Sequence, residues 1–129
     1  MRIATALISL ALAAASLGAQ ATPGALSLYL IDVEGGNATL LVSPSGESML
    51  IDTGNGGPAA ARDAARIQAA IADAGLRQLD HLVTTHYHGD HYGALAEVAA
   101  KTPIRNFVDH GPNVQPNQAT DAFLQGAYA

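Results

Sequence analysis

The chain has no cysteine. No disulfide can brace it and no thiolate can hold a metal, so its fold rests on burial or on a metal bound through His, Asp or Glu. A lipid-attachment cysteine is missing too. Positive charge is scarce, with 6 Lys and Arg against 11 Asp and Glu. Arg62, Arg66, Arg77, Lys101 and Arg105 are scattered along the chain rather than clustered. An acidic chain gains nothing from counterion release, so DNA or RNA is disfavoured and a small-molecule substrate is expected. The chain also lacks a span of the ~20 apolar residues that crossing a bilayer requires.

One uncharged stretch does stand out, over residues 3–17. It follows the basic start Met1-Arg2 and precedes Ala19-Gln20-Ala21, a small-x-small cleavage pattern. This reads as a secretory signal over 1–21, cut after Ala21, and it implies export to the periplasm or beyond the cell without a retained membrane anchor. Losing Arg2 takes the formal net charge from −5 to −6. The remaining residues, 22–129, have room for one domain at most.

Within that domain, strand and helix patterns alternate. Residues 26–33 and 38–43 are short apolar strand candidates separated by the turn residues Glu34-Gly35-Gly36-Asn37. A tight turn at Pro44-Ser45-Gly46-Glu47 returns the chain into a third strand over 49–51, which makes a β-meander. Pro58 suits a helix opening. Ala60, Ala64, Ile67, Ile71 and Ala74 then mark one apolar helical face, with Arg62, Asp63, Arg66 and Asp73 off it and Gly75 at the stop. Strands are expected again over 79–85 and 104–108, with a helix over 92–101 between them and a last short helix over 120–125. The fold class is α/β, a mixed sheet with helices packed on it.

The chemistry concentrates in His86-Tyr87-His88-Gly89-Asp90-His91, which holds three of the five histidines. His86 and His88 are two apart at the end of a strand pattern, so an extended backbone points both to one face. Gly89 lets the chain turn, and Asp90 and His91 open the next helix and fold back towards the same point. Imidazole and carboxylate suit zinc, and also iron or manganese. Two ligands on each side of a glycine fit two adjacent metals better than one closed site. Such a pair lowers the pKa of a bound water to about 7 and supplies a nucleophile for hydrolysis. Four nearby residues have plainer readings. His81 reads as a surface or core-edge residue, Tyr87 as packing, and Asp32 and Glu34 as a solvated turn.

This run resembles the HxHxDH signature of the metallo-β-lactamase-fold hydrolases, entered through Thr85 and followed by the small residue Gly93. Leu50-Ile51-Asp52-Thr53-Gly54 is similar to the family's upstream LIDTG motif. Asp32-Val33-Glu34-Gly35-Gly36-Asn37-Ala38 is similar to the DVGQGDA segment of one branch, with Glu34 and Asn37 among its departures. That branch includes the hydrolase-like domain of DNA-uptake competence proteins. The resemblance spans 26–110.

It implies an αββα sandwich, of which the chain carries the first half. It also implies a metal-dependent hydrolase, with zinc, two ions in the complete protein, activating water against an ester, amide, thioester or phosphoester. His86 and His88 then ligate the first metal, and Asp90 and His91 the second. Asp90 orients the nucleophile, and Asp52 fixes the loop by hydrogen bonding. The family's remaining ligands come from the second half of the fold. His110, the one histidine after His91, is a further candidate to contact metal or substrate. With half a ligand set, the isolated chain is expected to be a non-catalytic metal-binding fragment. A half-sandwich also leaves an apolar sheet face uncovered, which invites aggregation.

Overall fold

The computed structural model of the chain describes residues 24–111. The expected signal over 1–21 and the short helix over 120–125 lie outside them. Five strands form one mixed sheet: β1 (Ser27–Leu30), β2 (Thr39–Val42), β3 (Ser48–Ile51), β4 (Leu79–Val83) and β5 (Ile104–Val108). They lie side by side in chain order. β1, β2 and β3 pair antiparallel, as a meander should, and β3, β4 and β5 pair parallel. Parallel neighbours need crossovers, which α1 (Ala60–Asp73) and α2 (Leu95–Ala99) provide.

Each strand is shorter than its apolar run, except β5, which spans the expected residues, and β3, which gains Ser48. The β1 and β4 runs end early where the backbone leaves the ladder to build the loops that follow them. A short 3₁₀ turn, Gly57–Ala59, carries Pro58 into α1. The helix stops at Gly75, whose φ of +71° suits glycine, and Leu76 N–H reaches back to the Ile71 carbonyl at 3.0 Å.

The alternation of the strands divides the sheet into two unlike faces. In register across three strands, Leu40, Leu50 and Leu82 are fully buried. They share one core with Ala64, Ile67 and Ile71 of α1 and Leu95 and Val98 of α2. Burying each such leucine stabilises by about 1.5–3 kcal/mol. The opposite row runs Leu28, Leu41, Met49, His81. There Leu28 is 58 % exposed and Met49 37 %, with Leu30 at 79 % beyond them, so no described element covers this face. The uncovered apolar face is what half of a layered sandwich leaves.

Two expectations are corrected. Residues 92–94 are not helical, and α2 begins only at Leu95. Gly93 donates its N–H to the Gly54 carbonyl at 2.9 Å, and a Cβ there would overlap the backbone of Gly56 and Gly89. Close packing of two loops therefore displaces the first helical turn. Asp63, placed off the apolar stripe, is fully buried rather than on the surface. It is held there by Asn55 and Arg62.

Candidate active site

The site sits where β3 and β4 end. Asp52 follows β3 in a left-handed conformation, φ +61°, which Asp tolerates better than most residues with a Cβ. That turn sends its side chain into the protein, where it is 1 % exposed. Backbone hydrogen bonds then lace residues 52–56 to residues 83–93. Asp52 N–H donates to Val83 O at 2.8 Å, Thr53 N–H to His91 O at 2.6 Å, and Gly56 N–H to Gly89 O at 2.9 Å. The histidine loop is thus held by the LIDTG loop along its length.

Asp52 is the hub of the polar contacts. Its Oδ1 accepts from the Thr85 backbone N–H at 2.8 Å. Its Oδ2 accepts from Thr85 Oγ1 at 2.7 Å, Asn37 Nδ2 at 2.9 Å and His91 Nδ1 at 2.8 Å. A carboxylate facing His91 Nδ1 places the proton on Nδ1 and leaves the Nε2 lone pair free. That Nε2 lies 3.8 Å from Asp90 Oδ2. Because the Thr85 hydroxyl hydrogen goes to Asp52, its oxygen is left to accept from His86 Nδ1, 3.1 Å away. The same tautomer follows for His86, whose Nε2 faces His88 Nδ1 at 3.0 Å.

The three imidazoles crowd together. Ring centroids are 4.0 Å apart for His86 and His91 and 4.5 Å for His86 and His88. Burial, helped by the neighbouring His91 and His88, holds the His86 pKa below its ordinary value, against the opposing pull of Asp52 and Asp90. The neutral, metal-ligating form is therefore favoured.

The donor chemistry fits a divalent metal. Tetrahedral zinc with nitrogens at about 2.0–2.1 Å puts two of them roughly 3.3 Å apart. His86 Nε2 and His88 Nδ1 stand near that separation at 3.0 Å. Among the described residues no three His, Asp or Glu side chains are arranged around one point. The structure links the predicted ligands pairwise, His86 to His88 and to His91, and His91 to Asp90, with Asp90 and His91 in a turn rather than opening a helix.

His110 lies apart from the three imidazoles' ring contacts, packed at a tilt against Tyr87 with centroids 4.7 Å apart. Tyr87 is buried and packs edge-on against the buried Tyr92, whose pKa burial raises. His81 sits on the open face, hydrogen-bonded to Glu47 at 3.1 Å.

Three polar residues escaped the sequence reading. Asn37 looked like turn material, yet it reaches Asp52. Asn55 donates through its backbone N–H at 2.8 Å and its side chain at 3.0 Å to the buried Asp63 Oδ2, and its Nδ2 also reaches the Val33 carbonyl. Burial opposes ionisation of Asp63, but bonds from Arg62 and Asn55 outweigh it and lower the pKa. The only sequence signal was an asparagine at a loop and an aspartate one turn into a helix. Asp32 and Glu34 are exposed, and they pair with Arg66 and with both Arg62 and Arg66, respectively.

The sequence profile described as the metallo-beta-lactamase superfamily matches residues 31–122. Among curated proteins, the chain is 32 % identical over 91 residues to "Thioesterase pkgB" of Emericella nidulans, covering 70 % of this chain and 24 % of that protein. It is 34 % identical over 83 residues to "Lactamase-like protein aptB" of the same organism, covering 57 % of this chain and 26 % of that protein. The chain thus spans about a quarter of the length of the curated relatives it matches. No solved structure matches it.

Proposed function

This chain belongs to the metallo-beta-lactamase superfamily, and from that premise we propose that it carries the metal-binding loop of an exported hydrolase acting on a thioester or related acyl bond. One observation carries the reading. Buried Asp52 takes His91 Nδ1 at 2.8 Å, which leaves Nε2 beside Asp90 in a cluster with His86 and His88. In this reading His86 and His88 hold one zinc ion, and Asp90 and His91 a second.

A metal bound there supplies Lewis acidity and acidifies water at neutral pH. The chain's own residues do the positioning. Asp52 and Thr85 fix the tautomers of His91 and His86. Asp90, less buried than Asp52, presents its carboxylate to receive a proton from, and orient, the attacking water. The acyl substrate is supported by the relative named a thioesterase, and the acidic balance supports a small molecule over nucleic acid. Residues 32–38 support a place near the branch that includes the competence-protein domains. Residues 1–21 support export to the periplasm or outside the cell.

A second reading is a metal-binding unit without turnover. It is favoured by the lack, among the described residues, of three donors around one point. Zinc titration combined with hydrolysis of a small acyl-thioester panel separates the two. Zinc-dependent turnover abolished by His88→Ala supports the hydrolase, and zinc binding without turnover supports the second reading. Absence of zinc binding contradicts both.

A further inference from the structure

We propose that Asn37 is a positioning residue for the histidine loop, acting through Asp52 on His91 and through its own backbone on Asp90. The inference rests on the metal-binding reading above for its role, and on hydrogen bonds for its geometry. Asn37 Nδ2 donates to Asp52 Oδ2 at 2.9 Å, the same oxygen that receives His91 Nδ1. Its backbone N–H donates to the Asp90 carbonyl at 3.1 Å, and its carbonyl accepts from Gly54 N–H at 2.8 Å. One residue from the β1–β2 loop therefore touches the LIDTG loop and the histidine loop together.

The orientation of the amide is set by its partner. A carboxylate oxygen accepts only, so Asn37 must present its NH₂ group, and its Oδ1 is turned towards the Thr39 hydroxyl at 3.5 Å. With the amide in place, Oδ2 is held against the His91 ring. Without it, Thr85 alone positions the carboxylate against the ring, and the Nδ1–H tautomer of His91 has a less tightly fixed acceptor. Close backbone contact adds a steric lock, since a Cβ on the preceding Gly36 would overlap the Asp90 carbonyl. The β1–β2 loop thus cannot shift without moving Asp90.

The test is Asn37→Leu, which keeps the γ-branched shape and removes the donor. Long-range ¹H–¹⁵N spectra of the metal-free chain report the His91 tautomer, and zinc titration reports affinity. The expected result is a shift of His91 from the Nδ1–H form towards a mixture, with zinc bound about tenfold more weakly. A folded variant with unchanged tautomer and unchanged affinity overturns the proposal. If the variant does not fold, the wild-type side-chain amide decides. Slow exchange of its Nδ2 protons supports the role, and exchange as fast as a free amide overturns it. A wild-type chain that binds no zinc refutes the metal reading and leaves the tautomer measurement to judge Asn37.

Discussion

The sheet has a carboxylate at each end, and the two are used differently. At the amino ends of β3 and β4, Asp80 Oδ2 accepts the Ser48 backbone N–H and hydroxyl, both at 2.9 Å, and Arg105 lies 3.1 Å from its Oδ1. These bonds and the Arg105 charge hold the Asp80 carboxyl below its usual range. At the carboxyl ends, Asp52 is bonded to Thr85, Asn37 and His91. Its partners are a backbone amide, a hydroxyl, a side-chain amide and an imidazole. A guanidinium is permanently charged and cancels its carboxylate. An imidazole keeps a second nitrogen free for other work. Asp80 therefore staples strands together, whereas Asp52 aims a histidine. Open α/β sheets place ligands outside the carboxyl ends of their strands, and this division of labour agrees with that rule.

The largest expected effect comes from Asp52→Ala. It leaves the Thr85, Asn37 and His91 donors without their acceptor, at about 1–3 kcal/mol for each that water does not satisfy. Zinc affinity should fall by about 10- to 100-fold. Chemical denaturation and zinc titration check the two parts. Asp80→Ala should lower the denaturation midpoint and leave zinc affinity unchanged; loss of zinc binding there would break the contrast between the two ends.

Acid titration comes next. Asp80 and Asp63 both have depressed folded pKa values. Their contribution is present above the unfolded carboxyl value of about 3.9 and is lost as pH falls through the lower folded values. Asp80→Asn should flatten the acid side of a stability-against-pH curve below about pH 4. Arg105→Ala should do least. Arg105 is 63 % exposed, so its loss should shift stability slightly, and less so in high salt.

Much of the sheet was legible because alternation carries it. Leu40, Leu50 and Leu82 read as strand residues and form the covered row, and the stripe Ala60, Ala64, Ile67 and Ile71 is the face α1 buries. The close packing of Gly93 on Gly56 was hidden. It depends on backbone from two distant loops, and it cost α2 its first turn. Within the site, spacing pointed to the histidines and Asp90, and Asp52 was singled out by the resemblance of its LIDTG segment. The bond from Asn37 to Asp52 spans 15 residues and the bond from Asn55 to Asp63 spans 8. Both join a loop to a residue outside it, where no helical or strand periodicity reaches.

On the function proposed above, the carboxyl end of this sheet binds metal through the histidine loop. Zinc titration followed by long-range ¹H–¹⁵N spectra of the imidazoles tests it most directly. Ring nitrogens of His86, His88 and His91 should move together as zinc is added, while those of His81 at the opposite end stay in place. Shifts led by His81, or none at the three loop histidines, would contradict it.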